Sequence, residues 1–203
     1  MLQTLGRKTC VALAGGIAAG FAGLGFTEAM SDAKKGNQPQ RPDKIKDIEN
    51  IRNSMTRIRY TPEYKKMGAW HSTLRGKDKV EDMELYYNNE EGTTVGRYQL
   101  GCSLCGHRGI IHGGIVAMAF DDTFGICFHT QVSQKLNVGQ GFTANLDVNY
   151  RKTMPCDTPV IFHSKIDRVE GRKVFISGYA TDDKGEHWYA DSTALFIIPR
   201  EKK

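Results

Sequence analysis

The stretch His112–Asp122, which reads HGGIVAMAFDD, constrains this chain more than any other. It reads as a helix that begins at or just after two consecutive glycines and runs to about His129. A tight Gly-Gly turn at its start leaves the first backbone N–H groups without intrahelical acceptors, at the positive end of the helix dipole. Such an end suits a phosphate or a developing oxyanion. Farther along the helix stand two adjacent carboxylates, Asp121 and Asp122. His112 and Asp121 are nine residues apart, roughly 13 Å along the axis and on opposite sides of it. One copy of the helix therefore does not bring its N-terminal N–H groups and Asp121 onto the same substrate atom. Two copies packed antiparallel do, so a catalytic use of this stretch predicts a dimer with a shared site.

The rest of the chain sets the frame. Residues 1–27 contain no acid, and Arg7 and Lys8 precede an uncharged run of seventeen residues, Cys10–Phe26, that holds Gly16-x-x-x-Gly20. That length lies at the lower edge of a membrane span, and small residues at such spacing pack membrane helices closely. Three readings stay open for 1–27: a mitochondrial import signal, retained or not as an inner-membrane anchor; a secretory signal; or a plain tail. Residues 28–42 are a polar linker with too few apolar residues for a core. Residues 43–80 read as an N-terminal helical region. Asp43 would cap a helix running to about Tyr60, with Ile45, Ile48, Ile51, Met55 and Ile58 on one docking stripe, and Pro62–Leu74 would form a second short helix.

Residues 81–203 form the main domain. Strands are expected at Met83–Asn88, Val95–Cys102, Phe142–Tyr150, Val160–Val169, Lys173–Thr181 and His187–Ile198. Thr130–Gly141 reads as a loop at the mouth of a site or as an ordinary surface loop. In Phe142–Tyr150, residues Thr143, Asn145, Asp147 and Asn149 share the polar face. The fold class is therefore α+β, one long central helix wrapped by an antiparallel sheet, with N-terminal helices and a possible membrane segment before it. Its sheet has an edge that needs covering, and pairing between two copies would cover it.

Composition removes several function classes. A net charge of +5 suits a phosphate-bearing substrate or an anionic membrane surface, and no nucleic-acid-binding pattern accompanies it. Five cysteines, an odd number, argue against a disulfide framework. Cys102-x-x-Cys105 lacks the second pair that completes a zinc site, so the cysteines read as structural thiols in a reducing compartment, with no metal ligand set and no cofactor. P-loop, GxSxG, HExxH and EF-hand patterns are missing.

Ile111-His112-Gly113-Gly114 with an Asp nine residues after the His resembles the PaaI-like hotdog-fold acyl-CoA thioesterases. Thr143-Ala144-Asn145-Leu146, Asn149-Tyr150-Arg151-Lys152 and Val169-Glu170-Gly171-Arg172-Lys173, in that order, are similar to the acyl-coenzyme A thioesterase THEM subgroup. The resemblance covers about Gly92 to Ile198. It implies a thioesterase that hydrolyses fatty acyl-CoA in a homodimer, with Asp121 as general base or nucleophile and the Gly114 N–H as oxyanion donor. It also suggests that the Thr143 hydroxyl orients water or Asp121. His112 either hydrogen-bonds the thioester carbonyl or fixes the turn. Gly113, Asn145, Arg151, Lys152, Arg172 and Lys173 are the substrate-binding candidates, the four basic residues for the phosphates of coenzyme A. Met118, Phe120 and Phe124 either line an acyl slot or belong to the core. The competing reading is a non-catalytic hotdog protein, tethered to a membrane through residues 10–26, that binds acyl-CoA or a partner protein. The mitochondrion, at its inner membrane where the tether is kept, is the expected compartment.

Overall fold

Residues 45–59 and 69–200 are described in a computed structural model. The targeting or membrane segment 1–27, the linker 28–42 and the start of the second N-terminal helix at Pro62 lie outside the described residues. Among the described residues no helix is long and apolar enough to cross a membrane.

The fold is built on helix α2, Gly113–Phe128. Its buried positions Val116, Ala119, Phe120, Thr123, Phe124 and Cys127 follow the three-and-four spacing of one helix face. That face lies on an antiparallel sheet. The sheet's strands, in chain order, are β1 (Thr56–Ile58), β2 (Val80–Asn88), β3 (Thr93–Leu100), β6 (Phe142–Tyr150), β7 (Pro159–Glu170), β8 (Lys173–Asp182) and β9 (Trp188–Ile197). Their spatial order is β1-β2-β3-β7-β8-β9-β6, the expected hotdog arrangement of a helix wrapped by a sheet. A small separate hairpin, β4 (Cys105–His107) and β5 (Ile110–Ile111), leads into the helix. Gly178 shows how closely helix and sheet meet. A Cβ there would strike the His163 carbonyl and approach a Phe124 ring carbon to 2.6 Å.

Four expectations change. The helix expected from Asp43 to about Tyr60 is the short α1, Ile48–Ser54, capped by Asp47, whose carboxylate accepts the Asn50 N–H at 2.8 Å. Thr56–Ile58 is strand β1, paired with β2, so the region 43–80 is not wholly helical. The expected stripe thus splits. Ile51, with Ile48 and Met55 beside it, packs on Tyr86, Val95 and Ile161 on the outer face of the sheet, while Ile58 turns to the main core.

Second, the central helix does not give way to a loop at Thr130. A π-helical turn, His129–Ser133, and a last helical turn, Gln134–Leu136, carry it on to Asn137, whose left-handed φ of 50° stops it. Polar composition hid this. Thr130 donates back to the Ile126 carbonyl at 2.9 Å, and Gln131 Nε2 bonds the Asn88 and Thr93 carbonyls, so buried polar side chains are satisfied inside the fold.

Third, β6 carries a bulge between Thr143 and Asn145. One extra residue shifts the alternation, so the two side chains do not share a face as the two-residue spacing suggested. Fourth, Cys102 and Cys156, 54 residues apart, are joined by a disulfide. Folding brings the 154–157 loop against the turn after β3, a proximity that cysteine spacing does not encode.

β6 forms one edge of the sheet and β1 the other. Phe142 and Tyr150, at the two ends of β6, are 61% and 56% exposed. Those are unusual fractions for large apolar rings on an edge strand.

Candidate active site

The turn before α2 is held on three sides. His112 N–H donates to the Leu104 carbonyl at 2.9 Å, Ile111 N–H to the Met154 carbonyl at 2.9 Å, and Cys156 N–H to the Gly109 carbonyl at 3.1 Å. His112 is the N-cap, and its Nδ1 accepts the Gly114 N–H at 2.9 Å. An accepting Nδ1 means a neutral ring with its proton on Nε2. The expected oxyanion donor is therefore already engaged by the neighbouring imidazole, while Gly113 N–H, first in the helix, has no intrahelical acceptor by position. Both glycines admit close neighbours. A Cβ on Gly114 would sit 3.1 Å from His112 Nδ1, and one on Gly113 would sit 3.3 Å from the Tyr150 ring. The Tyr150 hydroxyl donates to the Gly113 carbonyl at 2.8 Å, and burial pushes its pKa up.

Asp121 and Asp122 face different walls, as adjacent helix positions must. Asp121 Oδ1 accepts the Thr143 hydroxyl at 2.7 Å across to β6, so two of the expected catalytic residues meet within one chain. Asp122 turns toward β3 and the N-terminal segment. His71 Nε2 lies 3.2 Å from its Oδ1. The Tyr98 hydroxyl lies 3.3 Å from Oδ2 and 2.9 Å from Thr123 Oγ1, whose own proton goes to the Ala119 carbonyl. His71 and Tyr98 escaped the sequence reading, because nothing in their local pattern tied them to Asp122.

A cleft of about 400 Å³ opens beside the glycine turn, lined by Ile111, Gly113, Val116, Tyr150, Lys152 and Met154 among others. It is chiefly apolar with a basic rim, as a thioester with a phosphate-bearing carrier would need. Arg151 lies at this rim, but its guanidinium is paired with the fully buried carboxylate of Asp191, which also accepts from Asn149 at 3.1 Å. The hydrogen bond from Arg151 to Asp191 raises the Arg151 pKa above its ordinary range. Asp191 was also missed. It lies on the last strand with no motif around it.

The other substrate-binding candidates lie elsewhere. Arg172 and Lys173 flank the β7–β8 hairpin, where Arg172 donates to the Ile198 carbonyl at 3.0 Å, and neither lines the cleft. Asn145 lines a shallow depression with Asp167, Phe175 and Thr193. Phe120 and Phe124 are fully buried core, whereas Met118 is exposed. Cys127 is no nucleophile, since burial pushes its thiol up to about 11. Asp121 does not line the cleft beside Gly113, and the helix between them spans roughly 13 Å from His112 to Asp121.

Residues 108–188 match the Thioesterase superfamily. Acyl-coenzyme A thioesterase THEM4 of Mus musculus is 35% identical over 113 residues, covering 56% of this chain and 46% of that protein. A mitochondrial protein of Candida albicans (strain WO-1) is 34% identical over 110 residues, covering 52% of this chain and 46% of its own. The chain thus spans about half the length of the curated relatives it matches. A hypothetical thioesterase protein from Streptococcus pneumoniae TIGR4, solved with coenzyme A, superposes with a TM-score of 0.51 at 17% identity, covering 61% of this chain and 93% of that one, a likeness of fold.

Proposed function

From the match of residues 108–188 to the Thioesterase superfamily, we propose that the chain is an acyl-CoA thioester hydrolase whose site is shared between two copies. The Thr143–Asp121 hydrogen bond carries this reading. By donating to Oδ1, Thr143 orients the carboxylate and leaves Oδ2 for a water molecule. Asp121 takes a proton from that water as its oxygen attacks the thioester carbonyl. The C–S bond then breaks, the coenzyme thiolate is protonated, and free acid and CoA leave. Direct attack by Asp121, giving a mixed anhydride that water cleaves, uses the same geometry.

The oxyanion site comes from the glycine turn of the partner subunit. Strand β6 supports this sharing, because Thr143 with Asp121 stands near one end of it and Tyr150 with Gly113 near the other. Antiparallel pairing of β6 with a second β6 about its middle brings opposite ends together and covers the exposed Phe142 and Tyr150. Gly113 N–H is then the donor at hand. Gly114 N–H joins it when the His112 ring yields. Lys152, at the rim of the apolar cleft, takes a phosphate of the coenzyme, and the acyl chain is that of a fatty acid. The mitochondrial relative favours the mitochondrion as the compartment, with residues 10–26 as the candidate inner-membrane contact.

Thiol release from a panel of acyl-CoAs tests the reading, with the full chain beside its Asp121→Asn and Asp122→Asn variants. Turnover lost with Asp121→Asn and kept with Asp122→Asn is the expected result. The engagement of Gly114 N–H by His112 favours a second reading, a protein that binds acyl-CoA without turning it over. Folded dimer that binds acyl-CoA and releases no thiol would replace the enzyme with that binder.

A further inference from the structure

Three cysteines converge beside the glycine turn, and a disulfide uses only two of them. Cys102, Cys105 and Cys156 place their sulfur atoms within 4.8 Å of one another. They come from three segments: the turn after β3, the first residue of β4, and the loop before β7. Each segment is fixed by backbone bonds. Leu104 N–H donates to the Gly101 carbonyl at 3.1 Å, Cys105 pairs with Ile111, and Cys156 N–H donates to the Gly109 carbonyl at 3.1 Å. A carboxylate stands beside two of the three, just outside the span the sulfurs share. Asp157 Oδ2 lies 3.0 Å from Cys102 Sγ and 3.8 Å from Cys156 Sγ. Asp157 holds a left-handed φ of 57°, and its N–H donates to the Leu100 carbonyl at 2.8 Å, so its carboxylate is presented by a locked backbone.

We propose that in the reduced chain Cys102, Cys105 and Cys156 hold a zinc-class divalent cation, with the Asp157 carboxylate as fourth ligand. Tetrahedral zinc with sulfur at about 2.3 Å sets its thiolates roughly 3.8 Å apart, which the span of this cluster accommodates. Thiolates select zinc over the hard cations that oxygen ligands prefer. Cys102 is exposed and the other two are half-buried, so a metal can reach them. The sequence shows only one Cys-x-x-Cys pair, and the third sulfur, supplied by Cys156, becomes visible in the fold. Two equivalents of a small thiol reductant convert the Cys102–Cys156 disulfide to two thiols and are themselves oxidised to a disulfide. Zinc then displaces the thiol protons to solvent. The bound metal pins the three segments that frame His112, Gly113 and Gly114. The site stands apart from the hydrolase reading, and its test uses no turnover.

Anaerobic titration of the full chain with Co²⁺, after phosphine reduction, reads the site directly. The expected result is about one Co²⁺ per chain, with thiolate-to-metal charge-transfer bands and the visible bands of a tetrahedral site, all bleached by Zn²⁺. Cys105→Ser leaves Cys102 and Cys156 free to form their disulfide, so its fold is not at risk. It should weaken binding by about 100-fold or more and diminish the charge-transfer bands. Asp157→Asn should weaken binding by roughly 10-fold. Reduced protein without charge-transfer bands would overturn the metal site, and so would a Cys105→Ser variant that binds Co²⁺ like the parent. Unchanged affinity in Asp157→Asn would overturn the fourth ligand.

Discussion

The two ends of the sheet differ in how they are closed. On the β2–β3–β7 flank the N-terminal segment covers the sheet. Ile51 is buried against Tyr86, Val95 and Ile161, Arg52 reaches Glu84 at 2.7 Å, and His71 reaches Asp122 at 3.2 Å. On the β6 flank one strand edge is left open, with Phe142 and Tyr150 exposed and Asp121 held by Thr143 alone among the hydrogen bonds described. Two neighbouring carboxylates thus meet opposite environments. The clamped one is surrounded by groups from this chain, and the open one keeps an oxygen for something else. Identity of side chain says little here. The wall each helix position faces assigns its use.

The largest effect should come from the open flank. Asp121→Asn is expected to lower turnover by about 10²–10⁴-fold while the fold is kept, and Asp122→Asn should change turnover by less than about threefold. Steady-state thiol release beside circular dichroism measures both. Equal losses in the two variants would break the comparison, since the flanks would then serve one site.

The clamped flank should answer in stability. His71→Ala strips a buried partner from Asp122 and is expected to cost about 2 kcal/mol in urea unfolding, with turnover per folded molecule unchanged. A lost turnover at parental stability would move Asp122 into the chemistry. A smaller effect belongs to the edge strand. Thr143→Val removes the hydrogen bond to Asp121 and should lower turnover by about tenfold, and Thr143→Ser should restore most of it. Identical rates in Thr143→Val and parent would leave the hydroxyl with a purely structural part.

Much of the framework was legible before any coordinates. Phe142–Tyr150 was bounded correctly by alternation alone, and the central helix begins at the glycines as expected. Thr143 and Asp121 were both named, although their meeting depends on β6 lying beside the helix, which the order of strands along the chain does not state. Other features were illegible for stated reasons. A bulge adds one residue without any composition signal, so Asn145 was put on the wrong face. His112 takes the second of its two expected roles and fixes the turn, but its part as N-cap to Gly114 N–H was illegible, because Ser, Thr, Asp and Asn are the usual caps. Cys156 and His71 act through tertiary contacts with segments 54 and 51 residues away, beyond the reach of local pattern.

His163 gives the finest test of how well the N-terminal segment seals its flank. It sits on β7 opposite Val95, stacked on Tyr179 with ring centroids 4.4 Å apart. Burial first, and the charge of Lys46 second, bring its pKa down to about 3. Above about pH 6.5 the ring is neutral in both folded and unfolded chains, and it adds no pH dependence. As pH falls below that, the unfolded chain binds a proton that the folded chain refuses until about pH 3. Stability therefore drops through that window, by up to about 1.4 kcal/mol per pH unit from this group. Urea unfolding between pH 7 and pH 4.5 should show that slope in the parent, reduced by nearly one proton in His163→Gln. Matching slopes would mean that the folded protein protonates His163, and that water reaches the ring beneath a flank the packing of Ile51 was argued to close.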